Sequence, residues 1–140
     1  MRILSLDIGD AKIGTAMSDP MQIIASPLGV ILRREDGEAI RDILELVEKH
    51  QVGTIVCGLP VTLKGTDSEQ TVKVRKFVDN LKKIVTVPVI FWNESLSSVT
   101  AQQMMKENSG RKRLDEQDDS VAAAVILQEY LLATMQHDNN

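Results

Sequence analysis

A single cysteine, Cys57, rules out an internal disulfide, and with only two histidines there is no zinc-binding constellation. A catalytic metal would have to be held by oxygen, which narrows the choice to Mg²⁺ or Mn²⁺. Aromatic residues are 3% of the chain, too few for a stacking platform that reads single strands of nucleic acid. No apolar run approaches the ~20 residues needed to cross a bilayer, so no membrane partner is expected. The opening residues MRILSLDIG enter a strand pattern at once, without a signal peptide's apolar stretch and cleavage site. The cytoplasm is the expected compartment. Positive charge is not in excess: a net charge of −4 argues against a uniformly basic surface that grips polyanions indiscriminately. Charge is local instead. Arg111, Lys112 and Arg113 sit together, while Lys73, Arg75 and Lys76 read as the solvated face of a helix.

What is present is an ordinary globular composition, 43% hydrophobic over 140 residues, enough for one domain with a core at about 2–135. Residues 2–8 form an apolar run ending in an acid, a buried strand. Gly9-Asp10 is a hairpin signal, and residues 12–18 read as the returning antiparallel strand. A third strand over 22–32 is interrupted at Pro27, which suits a sheet edge or a bulge. The period then changes. Ile40, Ile43, Leu44 and Val47 predict a helix near 36–50, and residues 54–57 a fourth strand closing at Gly58-Leu59-Pro60. Val74, Phe77, Val78 and Leu81 predict a helix near 67–84, followed by a fifth strand at 87–92, a helix near 97–107, a polar loop and an Ala-rich helix near 118–135. A meander followed by β-α-β-α units gives an α/β fold with a mixed five-stranded sheet, strand 2 antiparallel and helices on both faces. Right-handed crossovers set the strand order 3-2-1-4-5. Sites in such sheets open at the carboxyl ends of strands where the order reverses, here between strands 1 and 4. Asp7-Ile8-Gly9 and Gly58-Leu59-Pro60 fall at that place.

Three carboxylates stand out against this framework. Asp7 ends a strand of apolar residues, where a carboxylate is expensive without positive compensation. A metal ion would supply it, as would the hydrogen bonds of a structural strand-end Asp. Glu94 directly follows strand 5, where an acid also suits the first turn of a helix. In the acidic cluster 115–119, helical phase separates the members. Asp119, Ala122, Ala123, Ile126, Leu127, Tyr130 and Leu131 share one stripe expected to face the sheet, whereas Asp118 shares an outward line with Glu129. Ala122, Ala123 and Ala124 would let this helix lie close to the sheet. Asp7, Glu94 and Asp119 at one end of a sheet would hold two divalent ions, Mg²⁺ or Mn²⁺, about 3.5–4 Å apart, the arrangement that hydrolyses phosphodiesters. Gly9 lets backbone or a phosphate approach closely. Lys12 would steady a phosphate from across the hairpin, or simply be an exposed lysine. Arg111, Lys112 and Arg113 are candidate phosphate contacts beside Asp119.

The segments LSLDIGDAKIGTAMSD, IVCGLPVTLKGT, PVIFWNESLSS and DSVAAAVILQEYL together resemble the YqgF (RuvX) family, in the RuvC-like branch of the ribonuclease H superfamily. The resemblance runs in order from Arg2 to about Leu132. It implies a ribonuclease H-like fold and a metal-dependent nuclease whose acids are Asp7, Glu94 and Asp119. It also implies a role in maturing the 5′ end of pre-16S rRNA, with Holliday junction resolution in DNA recombination as the alternative. The family's usual Asp-Glu-Arg-Leu is here Asn93-Glu94-Ser95-Leu96, which keeps the Glu and omits any substrate contact from the Arg.

The expected partners are therefore nucleic acid, as precursor rRNA or branched DNA, and a ribosomal particle. Two rival readings remain at this level. One is a phosphate-binding ATPase module, which needs two such lobes where one domain provides one. The other is a non-catalytic nucleic-acid- or nucleotide-binding protein in which the acids are relics.

Overall fold

A computed structural model describes residues 1–60, 68–93 and 119–138. Its elements are β1 (Arg2–Ile8), β2 (Lys12–Ser18), β3 (Ala25–Leu32), α1 (Asp36–His50), β4 (Val52–Leu59), α2 (Glu69–Lys82), β5 (Val89–Asn93) and α3 (Asp119–Asp138). The helix expected near 97–107 lies outside the described residues. The sheet order is β3-β2-β1-β4-β5. β2 is antiparallel to β1 and β3, and β4 is parallel to β1 and β5. This is the topology expected from the hairpin signal and the right-handed crossover rule.

Alternation along the strands divides the core in two. Leu4, Leu6 and Ile8 of β1, Ile13 and Met17 of β2, and Ile55, Cys57 and Leu59 of β4 face α1 and α2. They pack there against Ile40, Ile43, Val74, Phe77, Val78 and Leu81. The helical periodicities behind α1 and α2 thus land on the sheet. α1 carries Asp36 and Glu38 in its first turn and Lys49 and His50 in its last, matching the helix dipole at both ends. α2 opens with a reciprocal cap, the Ser68 hydroxyl accepting from the Thr71 amide while Thr71 Oγ1 accepts from the Ser68 amide. Ile3, Ala16, Ala25 and Val56 face the other way, onto Ala123, Ala124, Ile126, Leu127 and Leu131 of α3.

β3 is an edge strand, and its register slips opposite Pro27–Gly29, so Pro27 sits where the sequence required an edge or a bulge. The strand starts at Ala25 rather than at residue 22. The carboxylate of Asp19 accepts from the amides of Met21, Ile23 and Ile24, and Gln22 adopts φ 58°, so residues 19–24 form a closed turn.

The phase of α3 differs from expectation by about one residue. Ser120, Ala123, Ala124, Leu127, Gln128 and Leu131 form the buried line, Ala122 is exposed, and Asp119 is half-buried at the margin. Glu129, expected on an outward polar line, is 5% exposed and accepts a hydrogen bond from the Trp92 indole at 3.2 Å. Two local demands set this phase. The Gln128 amide accepts from the Ala25 amide and donates to the Ile23 carbonyl, satisfying backbone groups where β3 begins. Trp92 also meets Tyr130 edge-on, ring centroids 5.7 Å apart, a contact worth about 0.5–1.5 kcal/mol.

Candidate active site

Asp7 stands on the α3 face of β1, in alternation with Ile3 and Ser5. It lies one residue beyond Leu6, the last position at which β1 pairs with β4, and directly opposite Gly14 of β2. Gly14 is where α3 arrives. A Cβ built on Gly14 would overlap the carbonyl carbon and oxygen of Asp119 and lie 2.9 Å from Asp119 Cβ. Only glycine lets the first turn of the helix rest on the strand at this point. Asp119 is thereby seated one strand away from Asp7.

A second contact sets the level of that seat. The buried Ser5 hydroxyl donates to the Ala123 carbonyl at 2.6 Å. From Ser5 to Asp7 the strand advances about 6.6 Å. From Ala123 back to Asp119 the helix advances about 6 Å. The two steps nearly match, so α3, antiparallel to β1, brings Asp119 level with Asp7.

The hairpin after Asp7 closes through the Gly9 amide, which donates to the Lys12 carbonyl at 2.9 Å, and a Cβ at Gly9 would stand 2.9 Å from that oxygen. The close approach that calls for glycine here is to the chain's own carbonyl. Lys12 begins β2 with an exposed side chain, on the alternation that also carries Gly14 and Ala16. Asn93, paired with Leu59, ends β5 at the same carboxyl end of the parallel strands. Glu94, next in sequence, lies outside the described residues, as do Arg111, Lys112 and Arg113. Among the described residues, no three His, Cys, Asp or Glu side chains form a metal-holding group.

Two of the three acids chosen from sequence are thus brought to one end of the sheet. Both supply hard carboxylate oxygens, and Cys57 points away into the α1–α2 core. A donor set of this kind fits Mg²⁺ or Mn²⁺ and not a thiophilic ion. Sequence reasoning passed over Gly14 and Ser5. Each had left a signal: a glycine inside a strand pattern, and a small polar residue two positions before Asp7 in an apolar run.

The model of the family described as RuvX: Holliday junction resolvase matches residues 1–133. A protein of Clostridium acetobutylicum named "Putative pre-16S rRNA nuclease" is 43% identical over 132 residues, covering 94% of this chain and 98% of its own. One of the same name from Roseiflexus sp. is 39% identical over 135 residues, covering 93% of each chain. Among solved structures, Thermus thermophilus RuvC in complex with a Holliday junction substrate superimposes with a TM-score of 0.67 at 16% identity, over 96% of both chains. The fowlpox virus Holliday junction resolvase gives 0.58 at 14% identity, over 96% of this chain and 99% of its own. At those identities the structural likeness establishes a ribonuclease H-like fold.

Proposed function

Since this chain belongs to the RuvX family, we propose that it is a metal-dependent nuclease that hydrolyses phosphodiester bonds in the 5′-end maturation of pre-16S rRNA. The observation that supports this reading is the close contact of Asp119 with Gly14, the residue paired with Asp7 at the switch point of the sheet.

Asp7, Asp119 and Glu94 would hold Mg²⁺ or Mn²⁺, two ions in the arrangement typical of phosphodiester hydrolysis. When bound, such ions would supply activation of the attacking water and neutralisation of charge on the leaving oxygen. The chain's own residues do the rest. Asp7 and Asp119 fix the site on a strand end and a helix start, rigid elements whose register is locked by the Ser5–Ala123 bond. Lys12 steadies a substrate phosphate from the mouth of the hairpin. Arg111, Lys112 and Arg113 contact flanking phosphates, setting affinity and register rather than sequence choice.

The described residues contain no helix long and apolar enough to cross a membrane. The proposed setting is the cytoplasm, on precursor rRNA in a ribosomal particle. Branched DNA is the second reading, supported by the family's description. It requires two symmetric cuts and hence a two-fold pair of active sites. A single site acting on a locally unpaired RNA segment needs fewer contacts, and such segments are what most sequence-specific RNA recognition targets.

The test is direct competition, with Mn²⁺ or Mg²⁺ at near-physiological salt, between a precursor rRNA 5′ leader and a four-way DNA junction. Cleavage of the leader is expected. Paired symmetric nicks in the junction, with the RNA left whole, would overturn the choice of substrate. No metal-dependent cleavage of either would overturn the nuclease.

A further inference from the structure

The four residues after Asp7 are each gripped from outside their hairpin. The Ile8 carbonyl accepts from Gln70 Nε2 of α2 at 3.4 Å, and Asp10 lies 3.7 Å from Lys73 Nζ. The other two residues are held by Arg33, just past the end of β3. Its amide donates to the Ala11 carbonyl at 2.9 Å, and its Nη1 donates to the Gly9 carbonyl at 2.8 Å.

These tethers are unequal. The Lys73–Asp10 pair is exposed on both sides and screened by water, and the Gln70 bond is long. The Arg33 side chain is only 14% exposed and is fixed in turn by its surroundings. Nε and Nη2 reach the two carboxylate oxygens of Asp36 in the first turn of α1, at 2.8 and 3.4 Å. The guanidinium carbon lies 4.8 Å from the ring centroid of the buried Phe77 on α2. One planar group thus joins α1, α2 and the hairpin, using a fork geometry and a stacking face that lysine lacks.

The clamp takes hold where β1 ends: among the described residues its pairing with β4 runs to Leu6 and with β2 to Ile8, and Arg33 binds the carbonyl of Gly9, the next residue. We propose that Arg33 is a positioning residue of the site: by holding the Gly9 carbonyl, it fixes the end of β1 and with it the geometry in which Asp7 presents its carboxylate to a divalent ion. This role rests on the nuclease reading of Asp7 given above.

The experiment compares the full chain with Arg33→Met, which keeps an apolar stem on Phe77 and removes the fork. Mn²⁺ alone is titrated by calorimetry, amide exchange is followed at Gly9, and kcat and KM are measured on the RNA leader. Groups hydrogen-bonded directly to a metal ligand change metal affinity by about 10–100-fold, and Arg33, acting through the backbone two residues from Asp7, should reach the lower part of that range. The expected result is a loss in that range for Mn²⁺, with faster exchange at Gly9 and a lower kcat at unchanged KM. Arg33→Lys should fail to rescue. Should Arg33→Met not fold, Asp36→Ala serves instead. It frees the guanidinium on one side, and a smaller loss of Mn²⁺ affinity is expected. Parental Mn²⁺ affinity and Gly9 exchange in the folded variants would overturn this role alone. A parent chain that takes up no Mn²⁺ would overturn the nuclease reading and this role with it.

Discussion

Gly14→Ala tests the geometry on which the site depends. The new methyl would overlap the carbonyl of Asp119, and real Cβ atoms do not come within 3.0 Å of such a group, so the start of α3 must retreat by more than 1 Å. The retreat is resisted by the Ser5–Ala123 bond one turn later and by Leu127, fully buried two turns later. Overpacking of this kind costs about 1–3 kcal/mol. For a chain of this size that is a fall of about 3–12 °C in Tm. The functional loss should be larger, because displacing a catalytic group by about 1 Å can cost on the order of 100-fold in rate. Gly29→Ala is the control: a Cβ there meets nothing within 4 Å, so both Tm and activity should stay near the parent. Thermal melts, Mn²⁺ calorimetry and RNA cleavage on the two variants decide the matter. If Gly14→Ala melts with the parent and cleaves at the parental rate, Asp119 is not seated as described and the argument for the site falls.

Three further outcomes are expected. Asp7→Asn should abolish cleavage and Mn²⁺ uptake while the fold is kept, because the amide matches the carboxylate in shape but lacks the charge that holds a cation; retained metal-dependent activity in a preparation free of other nucleases would refute it. Reversing the charge of Arg111, Lys112 and Arg113 should weaken RNA binding. It should also reduce the slope of log affinity against log salt by about one unit per lost phosphate contact, leaving Mn²⁺ affinity unchanged. An unaltered slope would make the cluster an ordinary solvated loop. Burial pushes the Cys57 thiol up to about 12, against the opposing charge of Lys82. The native thiol should therefore resist alkylation at pH 8 and react at the rate of unfolding, which labelling followed by mass spectrometry would show. Alkylation at the rate of a free peptide thiol would contradict the burial of β4.

The order of elements and the strand order were legible in the chain because they rest on local periodicity and chain connectivity. An apolar run over 2–8, a turn at Gly9-Asp10 with a strand returning over 12–18, and a helical period in 36–50 and 67–84 leave few topologies once crossovers must be right-handed. Asp7 was legible as a candidate for the same reason: a lone acid in an apolar strand conflicts with its own setting, a conflict that a metal ion or structural hydrogen bonds would resolve. The rotation of α3 was not legible. From Val121 to Leu127 the helix is apolar on every side, so its period has no preferred phase, and the sheet chose one. Gly14 admitted the backbone of Asp119, while Ser5, Gln128 and Glu129 found polar partners that only the folded sheet provides. Arg33 belongs with them: its three anchors, Gly9, Asp36 and Phe77, are up to 44 residues from it in sequence and meet only when β3, α1 and α2 have packed. With Glu94 resting on the family resemblance, sequence thus singled out Asp7 and Asp119 as candidates, and the end of the sheet where both lie, through rules that act over a few residues. Tertiary structure chose their register, because register depends on which small or polar side chains meet across separate elements.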